Sequence, residues 1–198
     1  MEVALFKTNY PSGSNPTVDE NQLQVVHSES GGTTKKCKVY RSTSKPLKYK
    51  IKPKSRIQLI TFNVNSLLKV GKLKNILNKT RERNIKIIAF QESRYKDEHT
   101  FDSEGYRIYK GKPGERVMPN CPHFGTGFII DKSIIDSVTT FKSCSGRIST
   151  LTIKTANKIY TLINGHAPTN ITNKKQPEIA EHFWNELDDT LQNFQKIT

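Results

Sequence analysis

Acidic residues are scarce in this chain: 18 Asp and Glu stand against 32 Lys and Arg in 198 residues, a formal charge of +14. That deficit creates a positive field suited to polyanions such as nucleic acid or acidic membrane, and it says nothing of fold. Cysteine is scarcer still. Cys37, Cys121 and Cys144 are an odd, sparse set that builds no disulfide framework and favours a reducing compartment, so an intracellular protein, nuclear or cytoplasmic, is expected. Long apolar runs are missing, since nothing approaches the ~20 residues a membrane helix needs. The first residues, "MEVALFKTNYPSGSN", hold too short an apolar segment for a signal peptide. No membrane partner is expected. An internal repeat and a nucleophile triad are also absent, because Ser143, Cys144 and Ser145 have no base beside them.

The length allows one sizeable domain and a tail. Residues 1–55 are rich in Ser, Thr, Asn, Gly and Pro without a sustained period, and they read as a disordered basic arm. Ten basic and no acidic residues fall in 35–56, Lys50, Lys52 and Lys54 among them. Such an arm can lie along phosphates and release counterions. A solvated linker or a nuclear-import signal explains the same charges.

A domain is expected over 56–198. "IQLITFNVNSLL" offers a strand, and "KVGKLKNILNKTRERN" places Val70, Leu73, Ile76, Leu77 and Thr80 on one helical face, with Asn84 as a left-handed cap. "IKIIAFQES" follows as a near-continuous apolar strand, the pattern of a strand covered on both faces. Strand, helix, strand predicts two parallel neighbours. Further strands are predicted at "YRIYKG", "FGTGFIID", "RISTLTIK" and "KIYTLINGH", then a helix from Pro177 with Ile179, Phe183, Leu187 and Leu191 on one face.

Parallel neighbours would bring Asn63 and Glu92 out at the same sheet end, where α/β sheets place ligand sites. A carboxylate there, supported by the amides of Asn63 and Gln91, suits a hard cation such as Mg²⁺. Spacing alone leaves open a Glu92 that only solvates the strand end. Cys121 and His123 are spaced like two zinc ligands, but no second pair accompanies them. "GTGF" lacks the glycines of a dinucleotide fingerprint and reads as a strand needing close backbone approach.

Taken in order, "ITFNVNSL", "IIAFQES", "GTGFII", "SGRISTLTI" and "LINGHAPTN" resemble the motifs of the endonuclease/exonuclease/phosphatase superfamily. They are most similar to the endonuclease domain of non-LTR retrotransposons, itself similar to apurinic/apyrimidinic endonucleases. The resemblance covers residues 57–198. It implies an α/β (α+β) fold, a four-layered α/β sandwich present here in part, and Mg²⁺-dependent phosphodiester hydrolysis of DNA, with Mn²⁺ as a substitute ion. A non-catalytic nucleic-acid-binding relic and a phosphatase of the same superfamily are the alternatives.

By that resemblance Glu92 takes the place of the metal-binding Glu in the family's Gln-Glu-Thr motif, and Asn63 that of the Asn in Trp-Asn-Val. Asn65 sits where repair members have Asp. His166 occupies the position of a phosphate-contacting Tyr, Thr169 replaces an Asn, and Arg147 matches an Arg-containing strand. Asn63, Glu92 and His166 are thus the expected catalytic residues, with Asn65, Arg147, Thr169, Lys50, Lys52 and Lys54 on phosphate. The family's Gly-Asp-Phe-Asn and Ser-Asp-His motifs do not occur in the 198 residues. "DEH" at 97–99 falls where the family has a substrate-side loop. The expectation is a domain whose C-terminal half lies elsewhere, whose one sheet has a face left uncovered, and which cuts DNA little or not at all by itself.

Overall fold

An apolar run without polar breaks needs cover on both faces, and the segment around Ile88 obtains it from elements on either side. The computed structural model describes residues 2–7, 39–41, 57–114, 116–118, 121–122, 124–156, 158–169 and 175–195. In chain order the elements are β1 (Glu2–Lys7), β2 (Val39–Arg41), β3 (Leu59–Asn63), α1 (Lys72–Glu82), β4 (Ile87–Gln91), β5 (His99–Ser103) and β6 (Tyr106–Lys110). They continue with β7 (Arg116–Met118), β8 (Cys121–Pro122), β9 (Gly127–Asp131), a 3-10 turn over Lys132–Ser137, β10 (Val138–Ser143), β11 (Ile148–Lys154), β12 (Ile159–Gly165) and α2 (Pro177–Gln195).

The predicted β3–α1–β4 unit is present. β3 and β4 are parallel, with Leu59 opposite Ile87 and Asn63 opposite Gln91. They belong to a mixed sheet of order β3-β4-β9-β6-β5. Asn84 ends the helix with φ 52°, and Ile85 N then donates to Thr80 O at 3.0 Å, so the left-handed cap holds. One helical assignment fails. Val70 lies outside α1, before the left-handed Gly71, and is fully exposed, because the helix starts only at Lys72.

A second sheet has the order β1-β12-β11-β10-β2. β10, β11 and β12 form an antiparallel meander, β2 adds antiparallel to β10, and β1 adds parallel to β12. Two strands therefore stand inside the stretch read as a structureless arm. Edge strands need backbone pairing from one neighbour only, so they leave little period in the sequence. The rest of residues 1–56, Lys50, Lys52 and Lys54 included, lies outside the described residues. β7 and β8 form a separate two-stranded ribbon.

Three apolar clusters hold these elements. Ile87, Ala89, Phe128 and Ile130 of the first sheet meet Phe141, Leu151, Ile153 and Leu162 of the second. The sheet face expected to lie bare is thus covered, because "VTTFKS", unassigned in the sequence, is β10 and completes the meander. Ile88, Phe90, Ile108 and Ile129 pack with Leu77 of α1, while Ile148 and Ile163 pack with Phe183, Leu187 and Phe194 of α2. The fold is mixed α/β. No helix among the described residues is long and apolar enough to cross a membrane.

One polar contact interrupts the apolar boundary between the sheets. Gln91 Nε2, on β4, donates to Asn164 Oδ1 of β12 at 2.5 Å and to Thr61 Oγ1 at 2.9 Å. Asn164 Nδ2 donates to the carbonyls of Phe90 at 2.8 Å and Gly127 at 2.9 Å, which face each other where the β4–β9 ladder ends. Both side chains are wholly buried, so their polar atoms depend on protein partners, of which each amide supplies the other one. Asn164→Leu removes the donor to two buried carbonyls and one of the acceptors of Gln91 Nε2, and should destabilise the protein by about 2–4 kcal/mol in urea unfolding. The double variant Gln91→Leu/Asn164→Leu should recover part of that loss, and additive losses would show that the pair is not coupled.

Candidate active site

The site follows from where three strands stop. Parallel β3 and β4 release Asn63 and Glu92 at one sheet end, and the chain stays paired past both strands. Val64 N donates to Gln91 O at 2.9 Å, Ser66 N to Glu92 O at 2.7 Å and Leu67 N to Ser93 O at 2.9 Å. On the other side Ser93 N donates to Gly125 O and Arg94 N to Phe124 O, both at 3.0 Å. Glu92 itself has φ 57° and Arg94 φ 58°, left-handed conformations that non-glycine residues seldom adopt. The backbone bonds on both flanks hold them there.

This turn of the chain aims the carboxylate of Glu92 at three donors. Asn63 Nδ2 donates to Oε1 at 2.7 Å, His166 Nε2 stands 3.4 Å from the same oxygen, and Arg94 lies 3.7 Å from Oε2. His166 comes from the second sheet, one residue past β12. Asn63 Oδ1 is occupied in turn by the backbone N–H of Asn65 at 2.9 Å, which fixes the amide's orientation. The carboxyl of Glu92 is lowered to about 2, first by the His166 contact, with the Asn63 hydrogen bond and the nearby Arg94 charge assisting and burial opposing.

Arg147 reaches the same corner because β11 and β12 are antiparallel, with Ile148 opposite Gly165. Its Nη1 donates to His166 O at 3.0 Å, and His166 N donates to Arg147 O at 2.9 Å. The guanidinium lies 3.7 Å from the centre of the Phe124 ring, whose own centroid is 5.3 Å from the His166 imidazole. His166 Nδ1 is buried without a hydrogen-bond partner among the described residues.

Comparison with protein-family models and with curated proteins finds no match. The geometry therefore carries the functional argument. Asn63, Glu92 and His166 are brought into contact, and Arg147 joins them through the His166 backbone. Asn65 takes part through its backbone, while the residue itself is exposed with φ 42°. Thr169 is exposed beyond His166. Asp97 pairs with Lys110 at 3.0 Å and His99 stacks on Phe101, so the "DEH" residues are engaged elsewhere.

Arg94 and Phe124 are site residues the sequence left unmarked, and for Arg94 nothing in the sequence signals the role. Phe124 is different. Its signal lay in the two glycines that follow. Gly125 has φ 85°, and a Cβ at Gly127 would strike the Tyr109 carbonyl and the Phe90 ring, in keeping with the close backbone approach read from "GTGF". Among the described residues no group of three or more His, Cys, Asp and Glu side chains could hold a metal ion.

The lowered Glu92 value fixes a pH dependence. A carboxyl at about 2 in the folded protein, against 4.5 ordinarily, stabilises the fold fully above about 4.5 and loses that contribution as pH falls through 2. Wild type should exceed Glu92→Gln in stability by about 1–3 kcal/mol near neutral pH, with the gap closing below pH 4.5 in urea unfolding. A gap that stays constant across that range would mean the carboxylate is not held by these donors.

Proposed function

We propose that this chain carries the metal-binding part of a Mg²⁺-assisted phosphodiester-hydrolase site of the endonuclease/exonuclease/phosphatase type, directed at DNA. The supporting observation is the contact of Asn63, Glu92 and His166 at the meeting edge of two sheets. Packing of α1 outside one sheet and α2 outside the other favours reading the whole as a four-layered α/β sandwich.

The donor set fits a hard cation that keeps most of its waters: one partly exposed carboxylate, already oriented by an amide. Glu92 would hold the ion, with Mn²⁺ able to replace Mg²⁺. Bound there, the ion supplies charge neutralisation at phosphate oxygens. The rest falls to the chain's own groups. Asn63 positions the carboxylate, His166 Nε2 presents a proton to a phosphate oxygen, and Arg147 fixes the His166 backbone. No Ser-Asp-His sequence is present to activate water, so the 198 residues should bind DNA more readily than they cut it. Glu92 has no second acidic ligand grouped with it among the described residues, which favours a non-catalytic binding role as the second reading.

Supercoiled plasmid with Mg²⁺ and a phosphate diester and monoester dye pair test the proposal. The purified chain should retain plasmid in a low-salt gel, release it at high salt and nick it little or not at all. Robust nicking abolished by Glu92→Ala would overturn the inactivity while supporting the site. Failure to retain DNA would sink the nucleic-acid reading, and Glu92-dependent turnover of the monoester would replace it with a phosphatase.

A further inference from the structure

Two hydroxyls in the layer between the sheets are buried without a bond. The alternation that turns Leu151 and Ile153 of β11 into this layer turns Ser149 the same way. On the first sheet the alternation that carries Phe128 and Ile130 inward carries Thr126 with them. Pairing continues there past the end of β9, since Gly111 N donates to Thr126 O at 2.8 Å. Ser149 and Thr126 are both wholly buried. Neither Ser149 Oγ nor Thr126 Oγ1 has a hydrogen-bond partner among the described residues. β11 lies over β9, as β12 lies over β4, so the two hydroxyls fall in the same part of the layer.

A third such atom stands beside them. Ser149 pairs with Asn164 in the β11–β12 ladder, and His166 follows two residues along the same face. Because His166 N bonds to Arg147 O, the ladder reaches that far and Ser149 is the diagonal neighbour of His166. The third atom is Nδ1 of this ring. Its other nitrogen is 3.4 Å from Glu92, and the ring leans on Phe124, two residues before Thr126. Large side chains such as Phe128, Phe141 and Leu151 hold the sheets about 10 Å apart. A serine and a threonine opposite each other are too short to meet across that distance. Buried waters typically make about three bonds to polar groups of this kind.

We infer that Ser149 Oγ, Thr126 Oγ1 and His166 Nδ1 hold one internal water between the sheets, and that Ser149 and Thr126 act through it as positioning residues for the His166 ring. The water bridges groups that the side chains cannot join directly. A ring bonded at Nδ1 and packed on Phe124 resists rotation, so Nε2 stays on the Glu92 carboxylate. The water requires nothing of the phosphodiester reading; only the use of Nε2 on a phosphate oxygen rests on it. Ser137 Oγ is likewise buried and unpartnered among the described residues, but it precedes Val138, whose partner Ile153 lies four residues from Ser149, about 13 Å away. That separation makes Ser137 a control.

Oxygen-17 relaxation dispersion counts long-lived internal waters, and nitrogen-15 spectra of the His166 ring report what Nδ1 bonds to. Wild type should show cross-relaxation between a long-lived water and the Thr126 methyl group, and its absence would overturn the inference without any variant. Thr126→Val/Ser149→Ala should lose one long-lived water and move the Nδ1 resonance, whereas Ser137→Ala should leave that resonance in place. Thr126→Ser keeps both hydroxyls and should keep the water and the wild-type resonance. An unchanged water count in Thr126→Val/Ser149→Ala would overturn the site. Loss of the water with Nδ1 unmoved would overturn the positioning role, and an equal movement in Ser137→Ala would overturn it as general loosening. DNA and metal enter none of these readouts, so the nucleic-acid reading stands or falls separately.

Discussion

Two buried amides, Gln91 and Asn164, join the sheets within a boundary that is otherwise mainly apolar. Apolar packing is tolerant of small slips, whereas an amide pair with two backbone carbonyls behind it accepts one relative position of its strands. Glu92 is the residue after Gln91, and His166 lies two after Asn164. The pair therefore sets how the ends of β4 and β12 approach, and the 3.4 Å contact between Glu92 and His166 depends on that approach. A sheet register shifted by one residue would turn Gln91 to the α1 side and leave the Asn164 carbonyl without its donor.

Backbone strain gathers at the same end of the molecule. Asn65, Ser66, Glu92, Arg94 and Phe124 are all left-handed without being glycine. Each such residue costs about 1–3 kcal/mol, and such clusters persist only where neighbours overdetermine the backbone. Here the loops after β3 and β4 and before β9 bond to one another in series, so Ser66, Glu92, Arg94 and Phe124 are each held by an adjacent segment, while Asn65 is held by Asn63 and Lys72. Strain of this kind shortens loops that would otherwise wander and keeps Glu92, Asn63 and the exposed turn at Val70 in a fixed relation.

Legibility in the sequence followed the strength of the local signal. β3, α1 and β4 were readable because apolar period, a cap at Asn84 and an unbroken core strand agreed with each other, and their parallel pairing brought Asn63 to Glu92. β10 was not, since "VTTFKS" has two apolar residues and owes its strand state to pairing with β11. β1 and β2 were missed for a related reason: partners distant in sequence specify edge strands. Val70 was misplaced because helical spacing continues through residues that the left-handed Gly71 keeps out of the helix. The approach of His166 to Glu92 could not come from period at all, because it spans two sheets; the ordered motifs suggested both residues, and the amide lock supplies the physical cause.

A cation at Glu92 and its neighbours is the proposal on which the functional reading rests. Titrating Mn²⁺ into isotope-labelled protein and recording paramagnetic broadening of backbone amides tests it directly. Broadening centred on Asn63, Asn65, Glu92 and His166 at substoichiometric Mn²⁺, relieved by excess Mg²⁺ and abolished in Glu92→Gln, is the predicted result. Broadening centred instead on surface acids such as Asp97 and Asp102, or unchanged by Glu92→Gln, would contradict it.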